Sequence, residues 1–228
     1  MIQMRNVYKK YPNGIVALNG MNVEIDQGEF VYVVGPSGAG KSTFIKMMYR
    51  EERPTSGQMF VDGIDIATLK NSKVPLLRRQ IGVVFQDFKL LPKLNVYENV
   101  AFALEVIEEK PEEIRKRVLK VLDLVGLKHK ARMFPTELSG GEQQRVSIAR
   151  SIVNKPKVVI ADEPTGNLDP ETSWDIMRLF EQINKSGTTI LMATHNREIV
   201  NSMRHRVIAI EGGLIVRDVA GGDYGYEG

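Results

Sequence analysis

Cysteine is absent from the sequence, which excludes disulfides and every metal site built on thiolates. A chain without cysteine is compatible with the cytosol. Long hydrophobic runs are absent too: none approaches the roughly 18 residues needed to span a bilayer. The first residues pass at once into a strand-like pattern, so no charged-then-apolar leader is expected there. Action at a membrane would then run through a partner. Nor is charge of one sign in excess, since 31 Lys and Arg stand against 28 Asp and Glu, a formal net charge of +3. The basic clusters Arg115-Lys116-Arg117 and Lys128, Lys130, Arg132 fall on or beside a helical pattern and read as a solvated face. With no basic stripe interleaved with aromatics, no nucleic-acid partner is expected. What is present, 43% hydrophobic and 26% charged residues over 228 positions, suits one large globular domain or two small ones.

The most informative stretch is Phe30 to Thr43. A run of strand formers, Phe30-Val31-Tyr32-Val33-Val34, ends in Gly35-Pro36-Ser37-Gly38-Ala39-Gly40-Lys41-Ser42-Thr43, and a helical pattern with Phe44, Ile45, Met47 and Met48 follows. The spacing G-x-x-x-x-G-K-S between strand and helix is that of a phosphate-binding loop. Its glycines let successive N–H groups point inward, and the helix N-terminus adds further bare donors and a positive dipole end. Lys41 is placed to reach the β- and γ-phosphates, and the Ser42 hydroxyl to ligate Mg²⁺. A Gly-rich turn with an incidental lysine would leave that spacing unexplained.

In chain order, Ile2 to Tyr8 alternates as a half-buried strand. Tyr11-Pro12-Asn13-Gly14 is a turn, Ile15 to Leu18 and Met21 to Ile25 read as strands, and Met59 to Ile66 reads as a hairpin turning at Asp62-Gly63. Ile81 to Phe85 is a short apolar strand stopping at Gln86. From about residue 87 to 155 the pattern becomes helical, an insert in an otherwise α/β chain. Within it Pro111 opens a helix with Ile114, Val118, Val121, Leu122 and Val125 on one face, closed by Gly126. Phe88, Leu90, Leu91, Pro92, Leu94, Val96 and Tyr97 are too apolar for a free loop; they read either as core or as a groove for a partner's short helix. Val158 to Glu163 is a buried strand ending in two carboxylates. A helix over Asp175 to Asn184, a strand from Thr188 to Ala193 ending at Thr194-His195, and a hairpin over His205 to Val219 complete the pattern. The Gly-rich tail, about residues 220–228, reads as loose. The whole is one α/β domain.

Gln86, Asp162-Glu163 and His195 each end an apolar strand. In open parallel sheets ligands collect at the carboxyl ends of strands, where the phosphate loop also lies. Asp162 suits a carboxylate holding Mg²⁺ through water, and Glu163 a group that polarises an attacking water. A helix-capping or ion-paired role is the plainer alternative for both. Gln86 and His195 are expected to contact the γ-phosphate, and Tyr11 to stack on a base or simply to pack its turn. Ser139-Gly140-Gly141-Glu142 has the form of a capping box, yet its two glycines are unnecessary for capping and permit close approach of an anion. One nucleotide has no need of two such sites from one chain, whereas a two-fold dimer uses both.

With these residues assembled, the chain resembles the ABC-type ATPases. Leu138 to Arg145 is similar to the signature sequence of that family, Gly35 to Ser42 to its Walker A loop and Val158 to Glu163 to its Walker B strand. Gly166-Asn167-Leu168-Asp169 resembles the D-loop, Gln86 the Q-loop glutamine and His195 the switch histidine. Glu142 and Gly166-Asn167 stand where Gln and Ser-Ala are commoner. The resemblance, from Ile2 to about Arg217, implies a P-loop NTPase with a RecA-like core, an antiparallel β subdomain and a helical subdomain. It implies ATP and Mg²⁺ as cofactors, with Ser42, Gln86 and Asp162 around the metal and Asp169 beside the nucleotide. Two copies would sandwich two nucleotides head to tail, Ser139 to Glu142 of one covering the phosphates bound by Lys41 of the other. Glu163 would act as base, and His195 would hold the γ-phosphate and the dimer partner.

Tyr97 to Ala101, Ile152 to Pro156 and Leu191 to His195 are most similar to the branch member that works in cell division. This places the chain at the cytoplasmic face of the membrane, bound to an integral membrane partner of the cell-division type. ATPase subunits for lipoprotein release or macrolide efflux belong to the same branch. A soluble ABC-type assembly factor is the alternative of another class; such proteins carry two nucleotide domains or a long coiled-coil insert.

Overall fold

The computed structural model describes residues 1–225. Among these, the elements run β1 (Ile2–Lys10), β2 (Val16–Ile25), β3 (Phe30–Val34), α1 (Lys41–Met48), β4 (Ser56–Val61), β5 (Ile64–Asp65), α2 (Val74–Arg78), β6 (Ile81–Val84), α3 (Val96–Glu105), α4 (Pro111–Leu124), α5 (Gly140–Ile152), β7 (Val158–Asp162), α6 (Pro170–Lys185), β8 (Thr189–Ala193), α7 (Arg197–Met203), β9 (Arg206–Glu211) and β10 (Leu214–Val219). A central sheet has the order β10-β9-β3-β8-β7-β6 and is parallel except for β10.

The strands of this sheet are apolar throughout because both of its faces are covered. Alternate residues serve opposite cores. Phe30, Tyr32, Val34, Val159, Ala161, Ile190 and Met192 pack beneath the longer helices. Val31, Val33, Val158, Ile160, Leu191 and Ala193 pack against α1 and a second, antiparallel sheet of order β2-β1-β4-β5. Phe44, Ile45, Met47 and Met48 of α1 are all buried in that layer. The Asp62-Gly63 turn joining β4 and β5 has both residues at positive φ, 49° and 74°, as a two-residue hairpin turn requires.

Three expectations change and one open alternative is decided. The two strands drawn over Ile15 to Ile25 are one strand, β2, whose pairing with β1 shifts register three times. The helix expected over Asp175 to Asn184 begins five residues earlier, because Asp169 caps it and Pro170 occupies its first turn. The apolar stretch after Gln86 is core rather than groove at the residues that matter most: Val96 is buried, and Leu90 and Tyr97 pack against the helical core.

The tail is docked over residues 221–225. The Tyr224 ring is 7% exposed, its N–H donates to Asn201 Oδ1 at 2.7 Å, and Arg217 pairs with Asp223 at 2.9 Å. A buried aromatic anchors a short segment that composition alone marks as free. The rest of that expectation, Tyr226 to Gly228, lies outside the described residues. Among the described residues no helix is long and apolar enough to cross a membrane.

Candidate active site

The parallel order β3-β8-β7-β6 brings the carboxyl ends of four strands side by side, and each carries a segment singled out from the sequence. After β3 the loop Gly35 to Gly40 turns tightly into α1. A Cβ on Gly35 would lie 2.1 Å from the Ile210 carbonyl oxygen, and one on Gly40 2.4 Å from that of Ala17, so no side chain fits at either position. Gly40 caps α1 without a side-chain acceptor, and the first turn carries no acidic residue. The N–H groups there are consequently free for an anion. Lys41 Nζ lies over the loop, donating to the carbonyls of Gly35 at 2.7 Å and Pro36 at 3.0 Å.

A cleft of about 520 Å³ is lined by Tyr11, Ser37 to Thr43, Asp162 and Glu163. Tyr11 Oη lies 3.2 Å from Thr43 Oγ1, and the Lys9 ammonium sits 4.8 Å from the ring centre. The ring is thereby fixed at the mouth of the cleft. Asn13, Ile15, Val16 and Ala17 share that mouth. They carry no chemical signature, and only the fold of β2 over the loop brings them there.

Asp162 ends β7. Burial, and after it the neighbouring Glu163 charge, raises its carboxyl above the usual carboxylate range, with Lys46 and Lys41 opposing. Lys46 is a further residue the motifs do not reveal. Ser42 and Asp162 together offer hard oxygen donors on one cleft, a set that suits Mg²⁺, which binds through one or two carboxylates and takes its other ligands from phosphates and water. Among the described residues no cluster of three or more His, Asp or Glu could hold a metal alone.

Glu163 turns back sharply, at φ 48°, and forms a wall between the phosphate cleft and a cavity of about 200 Å³ that it shares with Gly166 and His195. Its Oε2 accepts from His195 Nδ1 at 2.8 Å and from the His195 N–H at 3.1 Å. That pairing orients the imidazole with Nδ1 as donor and leaves Nε2 as its second polar atom.

Not every expected residue enters the cleft. Gln86 does not line it; its amide donates to Asn167 Oδ1 at 3.4 Å while Asn167 Nδ2 donates to the Gln86 carbonyl at 3.2 Å. Asp169 caps α6 through the Thr172 N–H at 2.9 Å, outside the cleft. Ser139, Gly140, Gly141 and Glu142 also lie outside it. They form the N-terminus of α5 with a complete capping box, the Glu142 carboxylate accepting from the Ser139 N–H and from Lys130. The Lys130 hydrogen bond is the chief reason the Glu142 carboxyl titrates below its usual range.

A strand–loop–helix with the spacing of a phosphate-binding loop, and a carboxylate pair at the end of another strand of the same sheet, defines a P-loop ATPase. Residues 18–166 match the family model described as ABC transporter, and the chain belongs to that family. It is an ATP-hydrolysing enzyme. Among its relatives, the cell division ATP-binding protein FtsE of Bacillus subtilis is 72% identical over 225 residues, covering 99% of each chain. FtsE of Streptococcus pneumoniae strain D39 is 64% identical over 227 residues, covering 100% of this chain and 99% of that one. The dimeric post-hydrolysis structure of the ATP-binding cassette MJ0796, bound to ADP and Pi, superposes with a TM-score of 0.87 at 37% identity, covering 97% of this chain and 99% of that one.

Proposed function

We propose that the chain is the ATP-hydrolysing subunit of a cell-division complex, working as a head-to-tail homodimer bound to a membrane partner of the FtsX type. Residues 1–228 act as one ABC ATPase domain in which residues 87–155 form the helical subdomain. The observation that carries the dimer is the division of the site. The cleft gathers Tyr11, the phosphate loop, Asp162 and Glu163, whereas the anion-competent N-terminus of α5 lies elsewhere on the same chain. A second copy supplies it. The dimeric state of the MJ0796 cassette supports the same reading.

In this arrangement the loop N–H groups and Lys41 bind the β- and γ-phosphates and Tyr11 faces the adenine. Ser42 and Asp162 would hold Mg²⁺, assisted by Gln86, and the ion would neutralise charge on the phosphates. Glu163 takes a proton from the attacking water, and its bond to His195 keeps the carboxylate aimed and the imidazole beside the γ-phosphate. Ser139 to Glu142 of the second copy close over the phosphates, and Asp169 lies in the same interface.

The membrane partner is assigned to a groove of about 550 Å³ between α2, β6, α3 and α5. Phe85, Phe102, Val106 and Ile107 provide an apolar wall, with Arg78, Arg79 and Arg150 beside it against one acid, Glu51. Phe102 and Val106 are 43% and 57% exposed. A short amphipathic helix with an acidic residue fits this chemistry. The names of the FtsE relatives support the cell-division setting, and the chain would sit at the cytoplasmic face of the membrane through that partner.

The test of the hydrolytic reading is Glu163→Gln. Turnover is expected to fall by roughly 10² to 10⁴, and ATP-dependent dimers to accumulate on size exclusion. Near-parental turnover would remove Glu163 from the mechanism.

A further inference from the structure

Two residues after Gln86 the backbone does something that neither residue favours. Phe88 and Lys89 both sit in the left-handed region, at φ 58° and 49°. An L side chain is strained there, and two in succession hold that shape only when the surroundings impose it. The turn has some bonding of its own, Lys89 N–H to the Asp87 carbonyl at 2.6 Å. Its stronger restraint comes from Arg150, in the last turn of α5 and 61 residues away in sequence. Arg150 Nη1 donates to the Lys89 carbonyl at 2.7 Å and Nη2 to the Phe88 carbonyl at 2.9 Å.

A guanidinium is an expensive group to bury for two backbone carbonyls. Burial lowers the pKa of Arg150. Its planar fork nevertheless spans two successive carbonyls in a way that no other side chain does. The same helix makes a second tie: Gln144 Nε2 donates to the Pro164 carbonyl at 2.6 Å, one residue beyond Glu163. Thus α5, whose other end carries Ser139 to Glu142, holds the turns that follow both β6 and β7.

We infer that Arg150 is a positioning residue for hydrolysis, clamping the strained Phe88–Lys89 turn and so fixing the segment that carries Gln86 relative to α5. The inference rests on the proposed role of Gln86. Arg150 also lines the partner groove, so a helix seated there meets the clamp directly.

The test is steady-state hydrolysis by the full chain and by Arg150→Ala, Lys89→Gly, the double variant and Gln86→Ala. Arg150→Ala is expected to lower kcat by about tenfold to a hundredfold, the scale of a displaced catalytic geometry. The KM for ATP should stay within about twofold, because the phosphate cleft is untouched. Adding Lys89→Gly should recover most of the lost rate, since glycine takes positive φ without strain. A role for Arg150 in packing alone would not be rescued in this way. If Arg150→Ala does not fold, Arg150→Lys replaces it; its ammonium keeps the charge and loses the fork, so the same loss and rescue are expected. A parental kcat without Arg150, or a loss that Lys89→Gly leaves unchanged, overturns the clamp. Parental activity in Gln86→Ala overturns instead the role of Gln86 on which the clamp depends.

Discussion

Asp162 pays for its position in stability. In the folded chain its carboxyl holds a proton to higher pH than in the unfolded chain, because burial and the Glu163 charge disfavour its ionised form. As pH rises through the ordinary carboxylate range the unfolded state releases this proton first. Folding stability therefore falls with rising pH until the folded-state pKa is passed, and the cost persists at neutral pH. Asp162→Asn removes the charge and should raise the melting temperature of the nucleotide-free protein at neutral pH by a few degrees. The gain should shrink toward the acid end of that window, while hydrolysis is lost. A melting temperature that drops at neutral pH would mean that the carboxylate is stabilising where it stands. The residues that line the cleft were legible in the sequence where chemistry and spacing coincide, in the phosphate loop and the strand-end carboxylates, and the Ser139–Glu142 box was legible as a helix cap. Arg150 was not, because its role depends on two carbonyls and a backbone strain that no spacing announces. Nor was the Glu163–His195 bond, which joins the ends of two strands distant in sequence.

At the scale of elements, the parallel sheet was readable from its unbroken apolar runs, and their two-faced alternation explains why each run could be so uniformly hydrophobic. The start of α6 was missed although Asp169-Pro170 is a cap followed by a helix-opening proline. The docked tail was missed because one buried tyrosine, Tyr224, outweighs the three glycines beside it. Whether the apolar stretch after Gln86 was core or groove stayed open in the sequence, because the groove's lining comes from α2, β6, α3, α5 and the residues Tyr49 and Glu51, and only their packing turns these into one surface. Phe102→Asp or Val106→Asp should abolish recruitment of the chain to membranes containing its partner. Both side chains are exposed, so the melting temperature should hold. Recruitment that survives either change would move the partner's dock elsewhere.

In the proposed dimer each molecule is a half-site. Its phosphate cleft and its second anion-competent helix end lie apart, and a near-neutral net charge of +3 offers little repulsion between copies. Neither feature is visible in a single motif; the argument for two copies comes from where one fold puts both. The most direct measurement is hydrolysis by a mixture of two inactive variants. Lys41→Ala removes the phosphate grip and keeps the α5 terminus, while Ser139→Arg blocks that exposed terminus and keeps the grip. Each alone should be inactive. A mixture should recover activity, approaching about a quarter of the parental rate if half the dimers are mixed and each has one intact site. A mixture as inactive as its components, or full activity in Ser139→Arg alone, would contradict a site shared between two chains.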